Sequence, residues 1–140
     1  MAEVGVVLVG HGRTASALLD AARGILGEGA LPGAIAVDAG VGETAELKAR
    51  LGAALAAADR GAGVLLVADV YGASPCSCGI REAAGPLVVL SGLSLGVLLK
   101  LAVLDREEQG PEAIASACVE SARRALAVHV PPPAATKEPA

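Results

Sequence analysis

Apolar residues along this chain fall into short unbroken runs separated by longer stretches with helical spacing. Val4–Val9, Ala34–Asp38, Gly63–Asp69 and Leu87–Ser91 are runs of five to seven residues bounded by glycine, proline or charge. Continuous apolar runs of this length predict strands buried on both faces. After the first run, Ala15, Leu18, Leu19, Ala22, Ile25 and Leu26 recur at helical spacing, with Gly27 as the stop. Leu47, Leu51, Ala54, Leu55 and Ala58 repeat the pattern after the second run. Glu43 and Glu46 fall in that helix's first turn, where the positive end of the dipole favours them. A short third helix is predicted from Ser74-Pro75 to Gly85-Pro86, a fourth over about Gly96–Leu104, and a fifth from Pro111 with Ile114, Ala117, Cys118 and Ala122 turned inward. Strands alternating with helices predict one parallel sheet with right-handed crossovers.

The tail differs. Leu126–Val130 reads as a short edge strand. Pro131–Pro133 cannot continue a ladder, and residues 131–140 read as an extended, disordered terminus, leaving 1–130 as one domain.

Composition narrows the core and the partners. Hydrophobic residues are 54% of the 140, yet there is one Tyr, no Phe and no Trp, so the core is built from Ala, Val, Leu and Ile. A net charge of -4 argues against a nucleic-acid binder, which needs a basic face. No run approaches the roughly 18 apolar residues of a membrane span, and no basic segment precedes the first apolar run, as a signal peptide would require. Three cysteines do not make a disulfide framework. The expectation is a cytoplasmic protein.

The candidate chemistry starts with His11. It lies between Gly10 and Gly12 at the carboxyl end of the first predicted strand, where open α/β sheets place their ligands. Flanking glycines leave the imidazole approachable. Asp69 ends the third strand in the same way. If those strands are neighbours where strand order reverses, the two side chains meet. A carboxylate accepting from one ring N–H then fixes the tautomer, and the other nitrogen presents its lone pair as a nucleophile. Ser74-Pro75 starts the next helix, whose free N–H groups make an anion site. Each residue also has a plainer role. His11 as a turn residue packs poorly between glycines, Asp69 alone reads equally as a loop cap, and Ser74-Pro75 alone is a common helix start. Arg13 reads as phosphate contact or solvated charge, and Tyr71 as partner surface or cover for the sheet end. Cys76 and Cys78 point to different sides of a helix start and read as small hydrophobes rather than metal ligands. His129 falls in the tail.

Gly10-His11-Gly12 after the first strand, and Asp69-x-x-Gly72-x-Ser74-Pro75 after the third, resemble the IIA domain of the mannose family of the bacterial sugar phosphotransferase system. The resemblance covers about Val4–Val128, and the Asp-x-x-Gly-x-Ser-Pro segment is its more specific part. It implies a doubly wound α/β sandwich with a four-stranded parallel sheet in the order 2-1-3-4 and a C-terminal antiparallel strand exchanged between the subunits of a homodimer. It implies that His11 accepts a phosphoryl group from phospho-HPr and passes it to a IIB partner. Asp69 would hold the imidazole, with Gly12, Gly72 and Ser74 around the phosphate, and no cofactor or metal is implied. The chain departs from the family at Gly10, where Thr or Ser is frequent, at Ala73, where a second Gly is frequent, and at Ser77, where Asn is common. None of these removes a reacting atom. Any IIB domain is expected on another chain, or to be absent.

Two other functions compete. Val9-Gly10-His11-Gly12-Arg13 also looks like the start of the small tetrapyrrole chelatases, but those need a second histidine in the folded body, and this chain offers His129 alone. A regulatory domain that signals through the phosphorylation state of His11 would use the same residues as a transport component.

Overall fold

A computed structural model describes residues 3–41, 44–70 and 86–134. Four strands, β1 (Gly5–Gly10), β2 (Ile35–Asp38), β3 (Val64–Ala68) and β4 (Leu87–Ser91), form a parallel sheet in the order β2-β1-β3-β4. Among the described residues there are four helices, α1 (Thr14–Leu26), α2 (Ala45–Ala58), α3 (Leu95–Leu101) and α4 (Pro111–Ala125). The predicted helix from Ser74 to Gly85 lies outside the described residues, as do Glu43, Tyr71, Cys76 and Cys78.

The central strands β1 and β3 are apolar throughout because both faces are covered. Val6 and Leu8 of β1 join Leu65 and Val67 of β3 in a core roofed by α1, α3 and α4. Val7 and Val9 join Val64, Leu66 and Ala68 on the opposite face, under Leu47, Leu51, Ala54, Leu55 and Ala58 of α2. Alternate residues of one strand thus feed two separate cores. With no large rings to fill space, the backbones come close. A Cβ on Gly5 would lie 2.1 Å from the carbonyl oxygen of Ala58, so only glycine lets the end of α2 cross β1 there.

Three predicted details need correction. Ile25 and Leu26 are 60% and 46% exposed, because Leu31 in the loop after α1 takes their place in the core. The Arg23 guanidinium holds that loop by donating to the carbonyls of Ala30 and Leu31 at 3.1 Å each. The helix predicted to reach Leu104 ends at Leu101, where Val103 N–H turns back to the Lys100 carbonyl and tightens the last turn. In α4, Ile114 and Cys118 are buried as expected and Ala122 packs at the edge of the core, but Ala115 and Val119 take the role assigned to Ala117. Leu126–Val130 forms no strand in the sheet of its own chain, and Leu126, Val128 and Val130 are 88%, 91% and 85% exposed. A five-residue apolar segment has no strand stability without a partner edge.

Among the described residues no helix is long and apolar enough to cross a membrane.

Candidate functional site

The strand order decides where chemistry can happen. The chain leaves β1 for β2 on one side, then crosses to β3 on the other, so the carboxyl ends of β1 and β3 open a crevice between diverging connections. His11 follows β1 and Asp69 follows β3, and the register of the two strands brings them level: Val9 pairs with Ala68, and the Asp69 N–H donates to the Val9 carbonyl.

Asp69 holds His11 twice. Its Oδ2 accepts the His11 backbone N–H at 2.8 Å and lies 2.9 Å from the ring Nδ1. Oδ1 accepts the Val70 N–H at 2.8 Å, which fixes the carboxylate plane. A carboxylate is an acceptor only, so the shared proton sits on Nδ1, and Nε2 carries the lone pair. The His11 side chain is 44% exposed and that of Asp69 16%, so the imidazole reaches solvent while the carboxylate stays in. Burial pushes the Asp69 carboxyl up, but it is outweighed by the His11 backbone N–H, the His11 ring bond and charge, and the Val70 N–H. The net result is a carboxyl held below its ordinary value.

The loop carrying His11 is tied elsewhere too. The His11 carbonyl accepts the Thr14 N–H at 3.0 Å and the Thr14 hydroxyl at 2.6 Å, which starts α1. Gly12 and Gly40 form an antiparallel bridge, and both have left-handed backbones, with φ of 57° and 61°. Side chains at either position would strain that bridge.

The predicted residues therefore separate. His11 and Asp69 are brought together. The Gly12 N–H is already donated to the Gly40 carbonyl at 2.8 Å, so this residue shapes the loop and leaves open space over it. Gly72 and Ser74 lie outside the described residues. Arg13 is exposed at the start of α1, and His129 is exposed on the tail. Among the described residues no three His, Cys, Asp or Glu side chains gather as a metal site. Burial pushes the Cys118 thiol up against a weaker lowering by Lys100, as befits a core residue. The sequence reading missed Asp38. It ends β2 as Asp69 ends β3, and its carboxylate accepts the Ser16 backbone N–H at 3.0 Å and the Ser16 hydroxyl. The same strand-end position was the available signal.

Known proteins share the fold. No curated protein matches the chain in sequence. Among solved structures, the mannose/sorbose-specific IIA subunit of the phosphotransferase system from Enterococcus faecalis is 25% identical with a TM-score of 0.78, over 94% of this chain and 98% of that one. An EIIA component from Streptococcus agalactiae is 15% identical with a TM-score of 0.75, over 89% and 96%. The IIA protein associated with the fucose utilization operon of Streptococcus pneumoniae is 21% identical with a TM-score of 0.74, over 91% and 96%. The family model described as the phosphotransferase system fructose IIA component, of mannose type, matches residues 5–118, and the chain belongs to that family.

Proposed function

We propose that the chain is a phosphoryl carrier that takes a phosphoryl group from phospho-HPr on His11. It then passes the group to a IIB protein on another chain, or uses its phosphorylation state to regulate a target. The observation that carries this reading is the Nδ1–Asp69 hydrogen bond, which leaves Nε2 as the one ring nitrogen free to react. In the forward step the Nε2 lone pair attacks phosphorus, the new N–P bond forms as the donor's N–P bond breaks, and the donor imidazole leaves with its electron pair. The imidazole of His11 becomes cationic as it takes the phosphoryl group. Asp69, ionised at neutral pH, stabilises that charge through Nδ1–H. Return of the group to an acceptor reverses these changes, so no cofactor or metal is consumed. Gly72 and Ser74 would supply phosphate contacts from the segment after β3. Such a carrier works in the cytoplasm, and its acidic balance suits protein partners rather than nucleic acid.

The chelatase alternative has no observation in its favour: the family match and the Asp69 pairing both point to phosphoryl transfer.

The carrier is proposed to be a homodimer. The exposed apolar tail Leu126–Val130 and a groove of about 450 Å³ lined by Leu90, Val97, Val119 and Ala122 beside β4 are complementary in character. A tail from a second copy would satisfy its backbone on the β4 edge. A monomeric mass for the full chain at micromolar concentration overturns this, as does undiminished dimerisation of a chain ending at Arg124.

The test of the carrier is incubation with enzyme I, HPr and labelled phosphoenolpyruvate. Acid-labile label on wild type and none on His11→Ala is the expected result. Equal labelling of both would overturn the reading.

A further inference from the structure

The loop that carries His11 is held from the β2 side of the crevice, through Gly10, Gly12 and Ser16, as well as from the β3 side. Asp38, the last residue of β2, is in register with Gly10. The next residue, Ala39, donates its N–H to the Gly10 carbonyl at 2.8 Å, and Gly40 bridges to Gly12. The Asp38 carboxylate reaches to the amino end of α1 and accepts from Ser16 twice, with Oδ1 on the backbone N–H and Oδ2 on the hydroxyl. Arg50 of α2 donates to the Asp38 carbonyl at 2.7 Å and holds the strand end from behind. Residues 38 to 40 thus form a second clamp facing Asp69 across the histidine loop.

The position of the carboxylate matters because of what α1 would otherwise do. Its amino end comes two residues after His11, and an unoccupied helix amino end attracts anions through its free N–H groups and its dipole. A phosphoryl group arriving at Nε2 would then have a competing seat beside the nucleophile. Asp38 fills that seat with acceptor oxygens already bonded to Ser16.

We propose that Asp38 and Ser16 are positioning residues for His11: the Asp38 carboxylate, bonded to Ser16, closes the amino end of α1, fixes the histidine loop from the β2 side, and leaves the phosphoryl group only the β3 side of the crevice. This rests on His11 being the phosphoryl acceptor. Holding the loop from both sides fixes the backbone that carries the ring more tightly than Asp69 alone, and small misplacements of a nucleophile cost large factors in rate.

The test uses Asp38→Ala, Asp38→Asn and Ser16→Ala in the full chain, with three measurements. These are denaturant unfolding, transfer kinetics from phospho-HPr, and the 15N signals of the His11 ring in unphosphorylated protein. Asp38→Ala is expected to lower kcat roughly ten- to a hundredfold with KM for phospho-HPr within about twofold, the signature of a lost transition-state alignment. Its His11 ring signals broaden. Asp38→Asn keeps an oxygen that accepts from Ser16 and restores most of the rate. Ser16→Ala, which keeps the backbone bond, falls between. Wild-type kcat in Asp38→Ala, an Asp38→Asn as slow as Asp38→Ala, or ring signals unchanged in Asp38→Ala would each overturn the proposal. If Asp38→Ala does not fold, the milder Ser16→Ala decides it, with unchanged kcat and unchanged ring signals as the overturning result. If wild type takes no phosphoryl group, the carrier reading falls, while the ring signals, which need no donor, still decide whether Asp38 positions His11.

Discussion

The two ends of the sheet each hold a cation-forming side chain, and they treat it in opposite ways. At the amino end, Arg106 is 7% exposed. It donates to the Val4 carbonyl at 2.9 Å and the Pro32 carbonyl at 2.7 Å, with the Glu3 carboxylate 3.6 Å away. Its own carbonyl accepts the Val4 N–H at 2.9 Å. Desolvation of the guanidinium is offset by partners within the chain, and the group joins the start of β1 to the loops after α1 and α3. At the carboxyl end, His11 is 44% exposed, with one ring nitrogen bound to Asp69 and the other without a hydrogen-bond partner among the described residues. Saturation marks the first as a fastener. The second, oriented but left incomplete, has the form of a reagent.

The comparison predicts opposite outcomes for the two residues, and the largest effect belongs to His11. His11→Ala is expected to abolish phosphorylation and to shift the urea midpoint little, because the ring is half in solvent. Loss of folding in that variant would make His11 a fastener too. Arg106→Ala is expected to lose about 2–4 kcal/mol, since it strands buried carbonyl groups and a nearby carboxylate. The folded fraction should still take label at the wild-type rate. A slowed transfer step in folded Arg106→Ala would break the division between the two ends.

Asp69→Asn probes the reagent end without removing the nucleophile. The amide keeps the shape, but it loses the anion that stabilises the cationic phosphoimidazole in the proposed mechanism. Hydrogen bonds to charged groups contribute roughly 1.5–3 kcal/mol, so transfer should slow about tenfold or more if that much is lost at the transition state. Rapid-quench measurement of label transfer from phospho-HPr reads this directly. Unchanged kinetics would show that the carboxylate orients nothing of consequence to the reaction.

The carboxyl end was the more legible in sequence, for a physical reason. Buried parallel strands must be apolar, so a polar residue that ends one is conspicuous, and both His11 and Asp69 stand out in that way. Their meeting depended on strand order, which the resemblance implied and the pairing of β1 with β3 bears out. Asp38 had the same strand-end signature but no recognised partner, since Ser16 lies on a helix with no periodic polar signal. Arg106 was illegible. It sits in the run Asp105-Arg106-Glu107-Glu108, which reads as solvated charge, and only the convergence of Val4 and Pro32 on it turns it inward. Gly12 was legible as a special backbone position, although its N–H goes to Gly40. Ile25 and Leu26 fit the periodic pattern yet lie exposed, because the loop residue Leu31 takes the same core space.

The smallest effect is the dependence of stability on pH, and it refines the contrast by asking what the Asp69 pairing contributes to the fold. The folded carboxyl is held below its ordinary value, 3.8, by bonds from His11 and Val70 that outweigh the effect of burial. The unfolded chain therefore takes up this proton first as pH falls. The stabilisation is fully present above the unfolded value and is lost as pH drops through the lowered folded value. Asp69→Asn cannot titrate, so the difference in unfolding free energy between wild type and this variant isolates the contribution from the other carboxylates. That difference should be flat from about pH 7 to pH 5 and shrink steadily below about pH 4. Urea unfolding of both proteins across that range measures it. The slope at acid pH should be shallow, because His11 is half exposed and water screens the pair. A difference that grows as pH falls would mean that Asp69 enters the fold protonated, as a neutral donor. It would then hold His11 in the opposite tautomer, with the proton on Nε2 and no lone pair to offer a phosphoryl group.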